Sequence, residues 1–346
     1  MGIKKIALLA GVSIGTVDRA LHGRGRVSPE TQKKILKIAK KIDYKPNFAA
    51  RSLKKNSTLV IALVVPEYKS DDYWKQSRLG MEAALKKWQA FGVKLTPYYY
   101  KLSAAASFST SARKALAIKP DGIIFAPVFY QQGLTLLRQC AESNIPALVF
   151  NTHLPEYSPQ CFIGTDSVQS GRLAAELMHM SAGDLGRIAI IHFDEEFSNS
   201  PHMLEKEQGF KSYFTELKPD GQEIASYFVD SKKKTLAKQL AAVFQDDRLT
   251  GIFVSTSKVF IVGEFIRKLK IHGVIVIGYD LINKNAALIK QGAIQFLINQ
   301  NPFKQTELAV SSFCETFLLK RPLPSTILLP LEIITAQNLM SYQPAS

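Results

Sequence analysis

Seven stretches of this chain are unbroken apolar runs of strand length: "LVIALVVP" from Leu59, then "GIIFAPV", "IPALVFN", "RIAIIHF", "GIFVST", "GVIVIGYD" and "IQFLINQ". A strand with one wet face alternates apolar and polar residues, whereas a strand covered on both faces does not. The runs therefore predict parallel sheets with helices on either side. Helical periodicity fills the intervals, as over Tyr73 to Phe91, Ser167 to Met180 and Thr235 to Phe244. From Leu59 onward the pattern is doubly wound α/β, with enough strands for two sheets split near Ile163.

The first 58 residues contain no such run, and their charge sets them apart. Residues 1–60 carry 14 Lys+Arg against 3 Asp+Glu, which is +11 of the chain's formal +15. A positive field confined to one small module points to a polyanion, either nucleic acid or an anionic membrane surface. The three cysteines, Cys140, Cys161 and Cys314, lie far apart without a C-x-x-C or a histidine cluster, so no disulfide framework, metal or cofactor is expected. The start "MGIKKIALLAGVSIGTV" has the flavour of a secretory signal, but Ser13, Gly15 and Thr16 break its apolar run and Asp18 and Arg19 end it. No segment approaches the roughly 20 apolar residues of a membrane span. A cytoplasmic location is the expectation.

Within this module "AGVSIGTVDRALHGRGRVSPET" contains a G-x-S-x-G and a G-x-G. A nucleophile elbow needs a buried strand before the serine, yet Ile3, Ile6, Ala7 and Ala10 have the three-four spacing of a helix. A dinucleotide fingerprint fails too, since Ser28 stands at the third glycine position and no strand precedes it. What remains is helix, turn, helix. Gly11 suits a left-handed helix end and Ser13 a helix cap. Ile14, Val17 and Leu21 then form an apolar stripe that leaves Gly15, Thr16, Asp18, Arg19 and His22 outward. After the loop "HGRGR", Ser28 caps a third helix with Pro29 in its first position; Ile35, Leu36, Ile38, Ala39 and Ile42 face inward, with lysines on the wetter side. Three short helices with a polar face and a basic surround fit binding in the DNA major groove.

The stretch "IALLAGVSIGTVDRAL…GRVSPETQKKILKIAKKIDYKPNFAARSL" resembles the DNA-binding headpiece of the LacI/GalR family of bacterial transcription regulators, over about 55 residues without a gap. The resemblance implies phosphate contacts from Ser13, Thr16 and Asn47, and base-edge contacts from Ile14, Gly15 and Arg19. It also implies a minor-groove wedge at Leu53 on a short hinge helix. Lys5 departs from a usually acidic position, and Asp18 stands where Ser is commoner; an Asp there accepts from a cytosine amino group or holds Arg19. His22 reads as a phosphate or water contact.

The same resemblance implies a small all-α headpiece at 1–46, a hinge at 47–58 and a two-lobed, periplasmic-binding-protein-like core at 59–340. One lobe would comprise 59–163 and 298–326 and the other 164–297 and 327–340, the chain returning to the first sheet around Ile298 and to the second around Leu328.

Ligands of open parallel sheets sit beyond the carboxyl ends of strands. Polar residues follow the runs there: Asn151, Asp166, Thr256, Asp280 and Gln300, with Asp71, Tyr73 and Trp74 after the first strand. Carboxylates and amides for hydroxyl pairs, beside an aromatic ring for a pyranose face, are what a sugar cleft needs. The family maps these positions to ligand contacts and adds Lys206, where Arg is usual. Lysine keeps the charge and loses the two-pronged fork, which raises the chance of an acidic or altered ligand. Each position also has a plain structural use: Asp166 capping the helix from Ser167, Asp280 capping one near Asn283, Trp74 as core. The expectation is a regulator and no enzyme: a homodimer on a pseudo-palindromic double-stranded operator, controlled by a carbohydrate effector, with no membrane partner. Its rivals are a secreted sugar-binding protein, which would lack the first 58 residues, and an α/β enzyme.

Overall fold

The computed structural model describes residues 3–21, 27–41, 58–154, 159–182, 186–194, 199–217 and 222–342. The chain divides near Thr58 into two compact units.

The first unit contains three helices, α1 (Ile3–Ala10), α2 (Ile14–Leu21) and α3 (Pro29–Lys41). Its turns are local chemistry. Gly11 ends α1 at φ 68°, a region open to a residue without Cβ, and Ser13 Oγ accepts from Thr16 N at 3.1 Å to start α2. Ser28 Oγ accepts from Thr31 N at 3.3 Å to start α3. Ile6, Ala7, Ala10, Val17, Ala20, Ile35 and Ala39 form the core. Two of the expected inward residues leave it: Ile14 and Leu36 are each 47% exposed. An eight-residue helix turned toward two partners buries a narrow stripe, here Val17 and Ala20, so the broader stripe read from spacing does not fit. Ile42 and the Leu21 side chain lie outside the described residues.

The second unit contains two six-stranded sheets. Strands β1 (Leu59–Pro66), β2 (Val93–Tyr100), β3 (Gly122–Phe125), β4 (Ala147–Phe150), β5 (Cys161–Gly164) and β11 (Thr326–Leu328) build the first, in the order β11-β5-β4-β3-β1-β2. The second has the order β12-β10-β9-β8-β6-β7, from β6 (Arg187–Phe193), β7 (Ile224–Val229), β8 (Leu249–Val254), β9 (Ile275–Tyr279), β10 (Phe296–Asn299) and β12 (Glu332–Ile334). All pairings are parallel except β12 on β10, which is antiparallel and corrects the expectation of a wholly parallel second sheet. β12 enters the second sheet three residues after β11 leaves the first.

Both faces of the second sheet are covered. Ile191, Val254, Val276 and Leu297 enter one core cluster, while their neighbours Ile190, Phe253, Ile277 and Ile298 enter another. This is why the runs are continuous rather than alternating. The helices that matter for the site are α4 (Asp72–Trp88), α6 (Tyr130–Glu142), α7 (Ser167–Ala182), α8 (Pro201–Leu217), α10 (Val259–Leu269) and α12 (Pro302–Leu319); α5 (Ala105–Ala117), α9 (Leu236–Val243) and α11 (Asn283–Lys290) complete the set. The chain passes between lobes three times, after β5, after β10 and after β11. Ile298 thus belongs to the second sheet and Leu328 to the first, each just before a crossing. Glycine sets the distance between α7 and α8: a Cβ on Gly171 would lie 2.0 Å from the Lys206 carbonyl oxygen. That close approach fixes where α8 presents Lys206. Among the described residues no helix is long and apolar enough to cross a membrane.

Candidate functional site

The helical unit exposes Ser13, Ile14, Gly15 and Arg19, with Thr16 half-buried, on and just before α2. Arg19 Nε donates to the Gly15 carbonyl at 3.1 Å, which lays the guanidinium back along its own helix. Ser13 and Thr16 hydroxyls lie 2.9 Å apart. Lys33, Lys34 and Lys37 are on α3, and all three are exposed. Exposed hydroxyls, an arginine and lysines on short helices are the donors that phosphate oxygens and base edges accept from. His22, Asn47, Leu53 and the side chain of Asp18 lie outside the described residues.

In the larger unit one cleft of about 730 Å³, open to solvent, lies beyond the carboxyl ends of the strands of both lobes. Asp71, Tyr73, Trp74 and Asn151 line it from the first lobe, and Lys206, Thr256, Asp280 and Gln300 from the second. Asp166 is not among them. It lines a separate cavity with His153 and Glu205, and its carboxylate accepts from Gln169 N at 2.9 Å as the cap of α7.

Three lining residues reach the cleft by one device. Asn151, Asp194 and Asp280 each directly follow a strand at positive φ, 72°, 63° and 64°. Each amide extends the ladder by one bond, to Ile163, Val229 and Ile298 carbonyls, before the chain turns left-handed. Asn and Asp tolerate that region better than other residues with a Cβ. The turn lifts the polar side chain over the sheet's end. Asp194 was missed in the sequence, though "FN", "FD" and "YD" closing three apolar runs is a common signal. Also missed were Ser103, His202, Lys232 and Lys258, none of which closes one of the seven apolar runs.

Asp280 is 1% exposed. It accepts from Gln300 N at 3.1 Å and from Gln300 Nε2 at 2.9 Å. Burial pushes its pKa up to about 6 against the opposing pull of Lys206 and these bonds, with Asp71 adding to the rise. It does not cap the following helix, whose N-cap is Ile282. Lys206, 2% exposed, donates to Gln300 Oε1 at 3.1 Å and to the Ser255 carbonyl at 3.2 Å, with its ammonium 3.8 Å from the centre of the Tyr279 ring. The lysine therefore fixes the amide that in turn fixes the carboxylate. Two strands away at the same end of the second sheet, Asp194 accepts from Ser231 N at 2.5 Å and from Lys258 Nζ at 2.6 Å. Burial works against its ionisation, and these partners overcome it and hold its pKa below the ordinary carboxylate value. Burial, with Lys206 and His192 nearby, pushes His202 down to about 3, so its ring is neutral.

On the first-lobe wall Asp71 caps α4, accepting from Tyr73 N at 3.0 Å and Trp74 N at 3.2 Å. Asn151 Nδ2 donates to the Tyr73 hydroxyl at 2.5 Å. The Trp74 ring packs edge-on against Tyr73 and Phe150. Beneath the floor, Ser255 Oγ lies 2.8 Å from His192 Nδ1, and His192 Nε2 lies 2.7 Å from Glu207 Oε2. These are the residue types of a hydrolytic triad, but Ser255 is fully buried, and its geometry is that of a brace between strands and α8. Among the described residues no group of three or more His, Cys, Asp or Glu is arranged to hold a metal ion.

The family description "Periplasmic binding protein domain" matches residues 61–315, and "Bacterial regulatory proteins, lacI family" matches residues 2–47. The chain is 27% identical over 292 residues to the HTH-type transcriptional regulator MalR of Streptococcus pneumoniae, covering 81% of this chain and 84% of that protein. A crystal structure of a candidate LacI transcriptional regulator from Bacteroides fragilis matches with a TM-score of 0.79 at 24% identity, covering 83% of this chain and 100% of that one. GanP, a glucose-galactose binding protein from Geobacillus stearothermophilus, matches with a TM-score of 0.72 at 20% identity, over 82% and 99%. At those identities the two structures establish the fold.

Proposed function

The chain belongs to the LacI family of bacterial regulatory proteins, a helix-turn-helix module followed by a periplasmic-binding-protein domain, and on that premise we propose that a sugar or sugar derivative in the cleft controls its affinity for operator DNA. The observation that carries this reading is the convergence of Asp280, Asn151, Gln300 and Trp74 from two lobes on one cleft. Carboxylate and amide groups suit vicinal hydroxyls, and the indole suits the apolar face of a pyranose. Lys206, Lys232 and Lys258 share the lining with Asp71, Asp194 and Asp280, so its formal charges balance. A net-neutral polyol suits it better than an anion does.

The protein acts as a homodimer in the cytoplasm. One recognition helix reads one half-site, so a two-fold dimer matches a pseudo-palindrome. Asn47 and Leu53 belong to the hinge in this reading, with Leu53 wedged at the operator's centre. Effector binding changes operator affinity by the coupling free energy between the two sites.

Isothermal calorimetry of the full chain against neutral sugars, uronic acids and sugar phosphates tests the reading. We expect heat from a neutral sugar, lost in Asp280→Ala, while ligand-free operator affinity stays intact. A wild type that binds none of the panel removes the effector assignment.

A further inference from the structure

Helix α6 begins without a cap of its own. Its N-cap residue is Phe129, whose side chain makes no capping bond, where Ser, Thr, Asp or Asn would ordinarily accept from the first free amides. The acceptor comes from the other lobe. Asn199 Oδ1 accepts from Gln131 N at 3.1 Å, and Asn199 Nδ2 donates to Gln132 Oε1 at 3.2 Å. Asn199 is 8% exposed and lies just before α8, the helix that carries His202 and Lys206 to the cleft. A further bond joins the lobes from α4: Gln76 Nε2 donates to the Leu281 carbonyl at 2.7 Å, next to Asp280. None of these residues lines the cleft.

We propose that Asn199 is a helix cap supplied in trans, which completes α6 only when the two lobes are together and so sets their closure equilibrium without touching the effector. Separation of the lobes removes the acceptor from Gln131 N and returns both groups to water. Loss of a cap of this kind shifts an equilibrium by about fivefold. Closure assembles Trp74 and Asn151 opposite Asp280 and Gln300, so the closed fraction multiplies directly into apparent effector affinity. Asn199 is thus a positioning residue, and the inference rests on the effector-gated reading above for its consequence, though not for its geometry.

The test needs no known effector. Dyes on cysteines substituted for Lys114 in the first lobe and Lys238 in the second, both exposed, report lobe separation by energy transfer in the full chain. The native Cys140, Cys161 and Cys314 are buried and stay unlabelled. Asn199→Ala should move the population about fivefold toward the separated state. Asn199→Asp keeps the acceptor at a helix N-terminus and should remain within about twofold of the parent. Gln132→Ala removes only the second bond and should give a smaller shift in the same direction, which keeps the test decisive if Asn199→Ala fails to fold. Equal transfer efficiency in the parent and these variants overturns the proposal. With the sugar that gives heat in the calorimetric panel, Asn199→Ala should weaken binding by a similar factor. A panel that gives no heat at all counts against the effector and leaves the energy-transfer result standing on its own.

Discussion

Replacing Asp280 by Asn should make the ligand-free protein less sensitive to rising pH, because this carboxyl is buried in a place that disfavours its charge. Its pKa is raised from the ordinary 3.8 to about 6, first by burial and then by Asp71, against Lys206 and the bonds from Gln300. A group with a raised folded pKa stabilises the fold fully below its unfolded pKa, and that contribution is lost as pH climbs through the folded value. The window therefore runs from about pH 4 to a little above about pH 6. A rise of about 2 units at about 1.4 kcal/mol each is about 3 kcal/mol. At 1% exposure no large solvent discount applies. For a core of this size that corresponds to about 5 °C in Tm. The asparagine side chain carries no charge, but its amide nitrogen replaces one oxygen and faces one of the two Gln300 donors, a pH-independent cost of about 1 kcal/mol. In thermal melts from about pH 4 to about pH 8, the wild type should start more stable than Asp280→Asn and lose about 5 °C relative to it by about pH 7. A gap that stays constant across the range, or widens in the wild type's favour, refutes a buried ionised Asp280.

The same wall predicts opposite outcomes for two changes at Lys206. Lys206→Met removes the cation that favours Asp280 ionisation, so the pH midpoint for binding the sugar found by calorimetry should rise by about one unit, its affinity falling by about twofold at about pH 7 and by about tenfold at about pH 5. Lys206→Arg should keep the midpoint near the wild type's, and equal midpoints in both variants would disprove the link. In the helical unit, Arg19→Ala should cost about 1–3 kcal/mol on a selected operator and relax preference at one position per half-site, read by anisotropy titration on operator variants. Equal weakening on every sequence would make Arg19 a phosphate contact.

Where the fold was legible in the sequence, burial on both faces made it so. β1, β3, β4, β6, β9 and β10 lie within six of the seven apolar runs, and β8 begins two residues before the seventh, "GIFVST". The edge strands escaped notice for the same physical reason. β2 and β7 are each paired on one side only, and their sequences "VKLTPYYY" and "IASYFV" mix Lys94, Pro97 and Ser226 with half-buried rings. β11 and β12 have three residues each, too few for any periodicity. The caps at Ser13 and Ser28 were readable because they act within three residues. The exposure of Ile14 and Leu36 was not, because it depends on how far neighbouring helices reach.

The cleft divides along a similar line. Asn151 and Asp280 end apolar runs that stop cleanly, and each could be marked without knowing what it faced. Asp194 ends "RIAIIHFDEEF", where the following glutamates disguise it as the start of a solvated acidic loop. Its partner Lys258 is 64 residues away, and their ion pair closes only when β6 and β8 lie side by side. Lys206 marks the limit of resemblance as a guide. An arginine at that position would have enough donors to reach a ligand and the wall together, whereas three ammonium protons, two of them directed to Gln300 and Ser255, leave little for the cleft. The substitution therefore changes how the charge acts while leaving it in place. Lys206 reaches the cleft through the amide of Gln300, which in turn holds the carboxylate of Asp280 in place.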